Sequence, residues 1–175
     1  MAGVGYGAEK DQLERFRNEA ASIANNLENE GIAAFAETYA YGPTRVENKD
    51  PRGFAEFKRQ LAEHSAKGSA NTQRGVQRER PSIFDLEPQL KNLRVPTLIL
   101  NGDEDWPCLL PGIFMKRTIL SAGLLLIPNS GHAVNIEEPD AFNAALASFL
   151  AQVDSGGWPM RDPRAMRKSI TGITR

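Results

Sequence analysis

The stretch Val95–His132, VPTLILNGDEDWPCLLPGIFMKRTILSAGLLLIPNSGH, decides the fold. It contains two short apolar runs, Thr97–Leu100 and Leu124–Ile127, and each ends in a polar turn: Asn101-Gly-Asp-Glu-Asp105 after the first, Asn129-Ser-Gly-His132 after the second. Runs this short and this apolar predict strands buried on both faces. A helical segment between them, expected over Pro111 to Leu120, makes a βαβ unit with a right-handed crossover. Both polar loops then open on the carboxyl edge of a parallel sheet, where ligands and chemistry sit in open α/β folds.

The two loops offer an acid and a base. Gly131 allows the chain to turn tightly before His132. Histidine has the unperturbed pKa nearest neutrality, so one imidazole can take and return a proton in a single cycle. A carboxylate from the neighbouring loop can fix its tautomer, as the acid does in a Ser-His-Asp relay. Asp105 is the first choice for that acid and Asp103 the second. For both Asp105 and His132 the plain alternative is a turn residue with no chemical role.

Three features taken in order closely resemble the C-terminal end of α/β-hydrolase-fold enzymes. These are the strand and Gly102-x-x-Asp105 turn, the strand ending in Asn129-Ser-Gly-His132, and the helix opening at Glu138-Pro139-Asp140 with Phe142, Phe149 and Leu150. The resemblance is strong over about 90–153 and loose before it. It implies Asp105 as triad acid and His132 as catalytic histidine. It also implies hydrolysis of an ester or related bond in a small-molecule substrate.

Around this stretch the chain reads as a partial α/β-hydrolase fold, a helical cap followed by a βαβα unit with parallel strands. Residues 1–7, with Gly3, Gly5 and Gly7, read as the remnant end of a core strand, and they supply neither a dinucleotide fingerprint nor a nucleophile. Residues 8–94 read as a helical cap. Its first helix carries Leu13, Phe16, Ala20, Ile23 and Leu27 on one stripe and stops at Gly31. A shorter helix follows, with Ile32, Phe35 and Tyr39, and breaks at Tyr41-Gly-Pro43. Asp50-Pro51 opens a third, with Phe54, Phe57, Leu61 and His64 on one face. His64 reads first as a packing residue and second as a substrate contact. Arg74 and Arg78 share a face that suits an anionic group, although plain solvation fits them better. Residues 95–153 form the C-terminal core, whose last helix is expected to bury Phe142, Ala145, Leu146, Phe149 and Val153 on the sheet. Residues 154–175 read as a flexible tail that Trp158 could pin.

The chain has 175 residues, 41% hydrophobic and 25% charged, with 21 Lys plus Arg against 22 Asp plus Glu. A net charge of −1 builds no field for nucleic acid or anionic membrane. The apolar runs fall short of the roughly 20 residues needed to span a bilayer, and Met1–Lys10 has no secretory pattern, so a cytoplasmic location is expected. One cysteine, Cys108, excludes an internal disulfide. With two histidines far apart and no cysteine cluster, no metal and no cofactor are expected.

No Gly-x-Ser-x-Gly elbow occurs anywhere in the sequence. The α/β-hydrolase order is nucleophile, acid, histidine, so the expectation is a chain carrying acid and base while the nucleophile-bearing first half is absent, inactive on its own. Cys108 and Ser130 are the possible stand-ins. Cys108 lies on the acid's own loop and reads as a small packed residue; Ser130 adjoins His132 too closely to face it and reads as a backbone cap. A different class of reading is a non-catalytic module that pairs through an exposed sheet edge with a second copy or with a separate first half.

Overall fold

The computed structural model of the chain describes residues 9–39 and 50–166. The glycine-rich start, the expected break at Tyr41-Gly-Pro43 and the last residues of the tail lie outside these.

Helix α1 spans Lys10–Tyr39, with a non-helical backbone at Gly31 (φ 84°, ψ 171°) that divides it in two. That φ lies in the left-handed region that glycine enters without strain, and it delivers the stop expected there. Helix α2, Pro51–Ala62, is capped by Asp50, whose carboxylate accepts from the Gly53 N–H at 3.0 Å. Helix α3, Ala66–Thr72, is capped by Ser65 and runs into a π-helical turn, Gln73–Gln77. The stripe of α1 packs inward, and Ala24 and Leu27 meet Ala70 of α3 in a core that Ile23, Ile32 and Phe35 flank. A second small core sets Phe54 and Phe57 of α2 against Ala133 and Ile136, so the helical part rests on the segment that carries His132.

A 3-10 turn, Ile83–Leu86, and helix α4, Glu87–Asn92, lead into strand β1, Thr97–Gly102. Helix α5, Trp106–Thr118, crosses over to strand β2, Ala122–Ile127. The strands are parallel and paired in register from Thr97 with Ala122 to Gly102 with Ile127. Helix α5 begins five residues earlier than the expected Pro111. Pro107 falls in the first turn, where a missing N–H costs nothing, whereas Pro111 lies inside the helix and offers no N–H to the Pro107 carbonyl. Ile99, Ile119 and Ala122 form the core of this unit, with Leu90, Leu93, Met115 and Leu124 around it.

Two expectations of burial fail for one reason. Leu125 and Leu126 of β2 are exposed rather than covered on both faces. Helix α7, Pro139–Asp154, has no buried residue, and its Leu146 is exposed. Among the described residues the sheet has two strands, too narrow to cover a helix and itself be covered. After α7 the chain is tied back to the start of β2 at Trp158 and Arg161. The Trp158 indole N–H donates to the Ser121 carbonyl at 2.6 Å, its ring meets Phe149 edge-on at 4.7 Å, and the Arg161 N–H bonds to the Leu120 carbonyl at 2.8 Å. No helix among the described residues is long and apolar enough to cross a membrane.

Candidate active site

The site is built by two loops that leave the sheet at the same level, because Gly102 and Ile127 are register partners at the strand ends. Their backbones then run close together. The Asp103 N–H bonds to the Ile127 carbonyl at 3.1 Å and the Glu104 N–H to the Ser130 carbonyl at 2.9 Å. Such an approach requires glycine at 102: a Cβ there would overlap the Ser130 and Gly131 carbonyl oxygens and lie 2.6 Å from the Ser130 carbonyl carbon. At Asn129 the turn passes through positive φ (57°), which asparagine tolerates better than most residues.

This pairing brings Asp105 and His132 together. Imidazole Nδ1 lies 2.9 Å from Asp105 Oδ2. Asp105 occupies the N-cap position of α5, but its side chain makes no cap and turns to the histidine instead. The carboxylate is 6% exposed and the imidazole 40%. Burial pushes the Asp105 carboxyl up, yet the hydrogen bond from His132, helped by the Cys108 thiol, outweighs it and holds the group below the ordinary carboxylate range. An ionised carboxylate only accepts, so Nδ1 carries the proton in this pair and Nε2 is left as the basic nitrogen of the neutral ring. The same hydrogen bond raises the His132 pKa above 6.5 against the effect of burial. Asp105 Oδ1 is buried and has no hydrogen-bond partner among the described residues.

Asp103, the second choice for the acid, is engaged elsewhere: its Oδ1 accepts from the Ser130 N–H at 3.3 Å. Ser130 is fully buried with its hydroxyl donating to the Ile127 carbonyl at 2.8 Å, the backbone role expected of it. Cys108 is closer to the histidine than its place on the acid's loop suggested, with Sγ 3.8 Å from Nδ1. That is the nitrogen facing the acid, so the thiol is on the wrong side of the ring to be activated by Nε2. His64 is exposed, on an open cleft of about 490 Å³ that Leu27, Phe35 and Leu61 also line. Arg74 does not present a free fork to an anion; both its terminal nitrogens reach Glu28 at 2.6 Å.

Glu137, a carboxylate just ahead of a proline-led helix, is not singled out by the sequence. It ends a short helix, α6 (Val134–Glu137), and is 4% exposed. Its Oε2 accepts from the Gly131 N–H at 2.8 Å and its Oε1 from the Ala133 N–H at 3.2 Å, so one carboxylate grips the backbone on both sides of His132. The signal available in the sequence was a carboxylate five residues after the histidine, within reach of a loop with unpaired N–H groups.

No family model matches the chain. Curated relatives do, two of them over most of this chain. The putative carbamate hydrolase RutD of Rhizobium rhizogenes is 28% identical over 130 residues, covering 71% of this chain and 47% of that protein. The 3-oxoadipate enol-lactonase 2 of Acinetobacter baylyi is 27% identical over 131 residues, covering 73% and 46%. The solved structure of MenH from S. aureus superposes with a TM-score of 0.72 at 23% identity, over 83% of this chain and 55% of that one, a likeness of fold. The chain has part of the α/β-hydrolase fold. It spans under half the length of the curated α/β-hydrolases it matches.

Proposed function

We propose that this chain supplies the acid and base of an α/β-hydrolase active site that cleaves an ester or related carbonyl bond. The observation that carries the reading is the His132 Nδ1 to Asp105 Oδ2 bond, 2.9 Å long, at the carboxyl edge of paired parallel strands. Asp105 holds the imidazole in the Nδ1–H tautomer, and Nε2 takes the proton of an attacking hydroxyl. The imidazolium so formed is stabilised by the buried carboxylate, then returns the proton to the leaving group; the second half-cycle repeats this with water. The nucleophile and the oxyanion donors come from polypeptide outside this sequence, since no Gly-x-Ser-x-Gly occurs within it. The helices before β1 cover the site as a cap, through the contact of Phe54 and Phe57 with Ala133 and Ile136.

The test is to read the in-frame coding sequence upstream and express it together with this chain. An encoded elbow, hydrolysis of short-chain activated esters by the longer protein and loss of that activity in His132→Ala are the expected results. In the longer protein, Asp105→Asn lowers turnover by about 10⁴-fold, because an amide leaves the imidazole in the wrong tautomer. Turnover by the present chain alone, abolished by His132→Ala, overturns the claim that the nucleophile lies elsewhere. No encoded elbow and no turnover by either protein removes the hydrolase reading.

A second reading rests on a separate observation. Trp106 is 79% exposed, and Leu110, Leu125 and Leu126 are exposed with it. Apolar side chains left open beside a two-stranded sheet suit a module that pairs with a second copy or a separate first half. A monodisperse dimer in size exclusion with light scattering supports it; a compact, stable monomer counts against it.

A further inference from the structure

Sequence spacing counts against a metal site because it counts only cysteines and histidines. Folding adds a carboxylate to one of each. Asp105, Cys108 and His132 each place a potential ligand atom within 4.8 Å of the others. Tetrahedral zinc, with bonds of about 2.3 Å to sulfur and about 2.0–2.2 Å to nitrogen and oxygen, sets its ligand atoms roughly 3.4–3.6 Å apart. Cys108 Sγ is 3.8 Å from His132 Nδ1, and Asp105 Oδ2 is 2.9 Å from it. Small side-chain rotations that lengthen one distance and shorten the other bring all three to bonding range. The Asp105 side chain is more than nine-tenths buried, and its second oxygen has no hydrogen-bond partner among the described residues, which leaves a buried carboxylate oxygen open to a ligand.

We propose that Asp105, Cys108 and His132 form a binding site for a thiophilic divalent cation of the zinc class. The ligands are a carboxylate oxygen, the thiolate and imidazole Nδ1, and the fourth position falls to water or to Asp105 Oδ1. Proton balance follows from the pairing already described. In the neutral imidazole the Nδ1 proton moves to Nε2 as the metal takes Nδ1, and the thiol proton leaves to solvent. Nε2 then carries a hydrogen and no longer accepts one. Resting on the hydrolase reading, bound metal therefore switches the general base off, and its removal by a chelator switches it on.

Cobalt(II), added to the reduced full chain without substrate, tests the site independently of any activity. The expected result is one equivalent bound, with a sulfur-to-cobalt charge-transfer band in the near ultraviolet and the visible bands of a four-coordinate ion. Cys108 is the one cysteine in the sequence, so that band has a single possible source. Cys108→Ser, a near-isosteric change, abolishes the band and weakens binding by at least about tenfold, since loss of even an outer-shell partner costs about 10–100-fold. Asp105→Asn keeps the band and weakens binding. A featureless octahedral spectrum, or equal affinity in Cys108→Ser, overturns the proposal and leaves the hydrolase reading untouched. Cobalt binding as expected in a chain whose longer form hydrolyses no ester keeps the site and removes only its regulatory meaning.

Discussion

Glu28 and Glu137 both answer positive groups, one in water and one in the interior. Glu28 meets the Arg74 guanidinium across the exposed surface between α1 and the turn after α3. Glu137 meets two backbone N–H groups around a buried loop. The helical part repeats the first pattern: Lys58 with Glu37 at 2.5 Å, and Arg59 with Glu56 and Glu63, all at the surface. The loops after the strands repeat the second, with Asp103, Ser130, Asp105 and Glu137 each committing at least one side-chain oxygen to a partner within the loops. Exposed pairs add little because water competes for both partners, whereas a buried polar group deprived of its partner loses the whole of its solvation. The helices can therefore vary their charges freely, and the loops around Asp105 and His132 cannot.

The strongest way to break this contrast is Gly102→Ala. A methyl group there meets two backbone carbonyls that cannot rotate away, so the loops must separate; we expect a loss of about 3 kcal/mol or more in denaturant unfolding, with Asp105 and His132 pulled apart. Second comes Glu137→Gln, which offers one acceptor where two N–H groups need one each. A destabilisation of about 1–3 kcal/mol is expected in thermal or chemical melts, and a mutant as stable as the parent would mean that water satisfies this loop.

A third, smaller effect is the pH dependence of the pair. The raised His132 pKa gives stability fully present below 6.5 and lost as pH rises through the folded value. The depressed Asp105 pKa gives stability present above 3.8 and lost as pH falls through its folded value. One interaction is thus seen from two sides, and melting midpoints against pH should show a plateau between those limits that flattens in His132→Ala. Least of all, Arg74→Ala should leave the midpoint indistinguishable from the parent at physiological salt, and any measurable loss there would show that the exposed pairs of the helices do more than the comparison allows.

Much of the site was legible because it obeys spacing. A strand's apolar run, the glycine at its end and an acid three residues on can be read in order, as can Gly131-His132 after the second strand. Glu137 was not legible, because a carboxylate before a proline-led helix satisfies a simpler rule about helix dipoles, and which N–H groups lie within its reach is decided only when the loop closes. The burial of α7 was misread for a related reason. Its stripe of Phe142, Ala145, Phe149 and Val153 marks the half-buried face of the helix, but a stripe carries no information on how wide a neighbouring sheet is. Cys108 falls between these cases: its helix was foreseen, yet its nearness to Nδ1 depends on α5 starting at Trp106 instead of Pro111.

The two tryptophans sit at opposite ends of the strand pair, and this makes the molecule its own optical instrument. Trp106 follows Asp105 and is 79% exposed. Trp158 is half-buried, lies over Gly123 and is bonded to Ser121 at the other end. An aqueous quencher should dim the first and spare the second. Its emission can then report on the acid's end of the sheet, while the red shift of Trp158 on release reports the far end, so the order in which the two ends come apart can be timed without attaching a label.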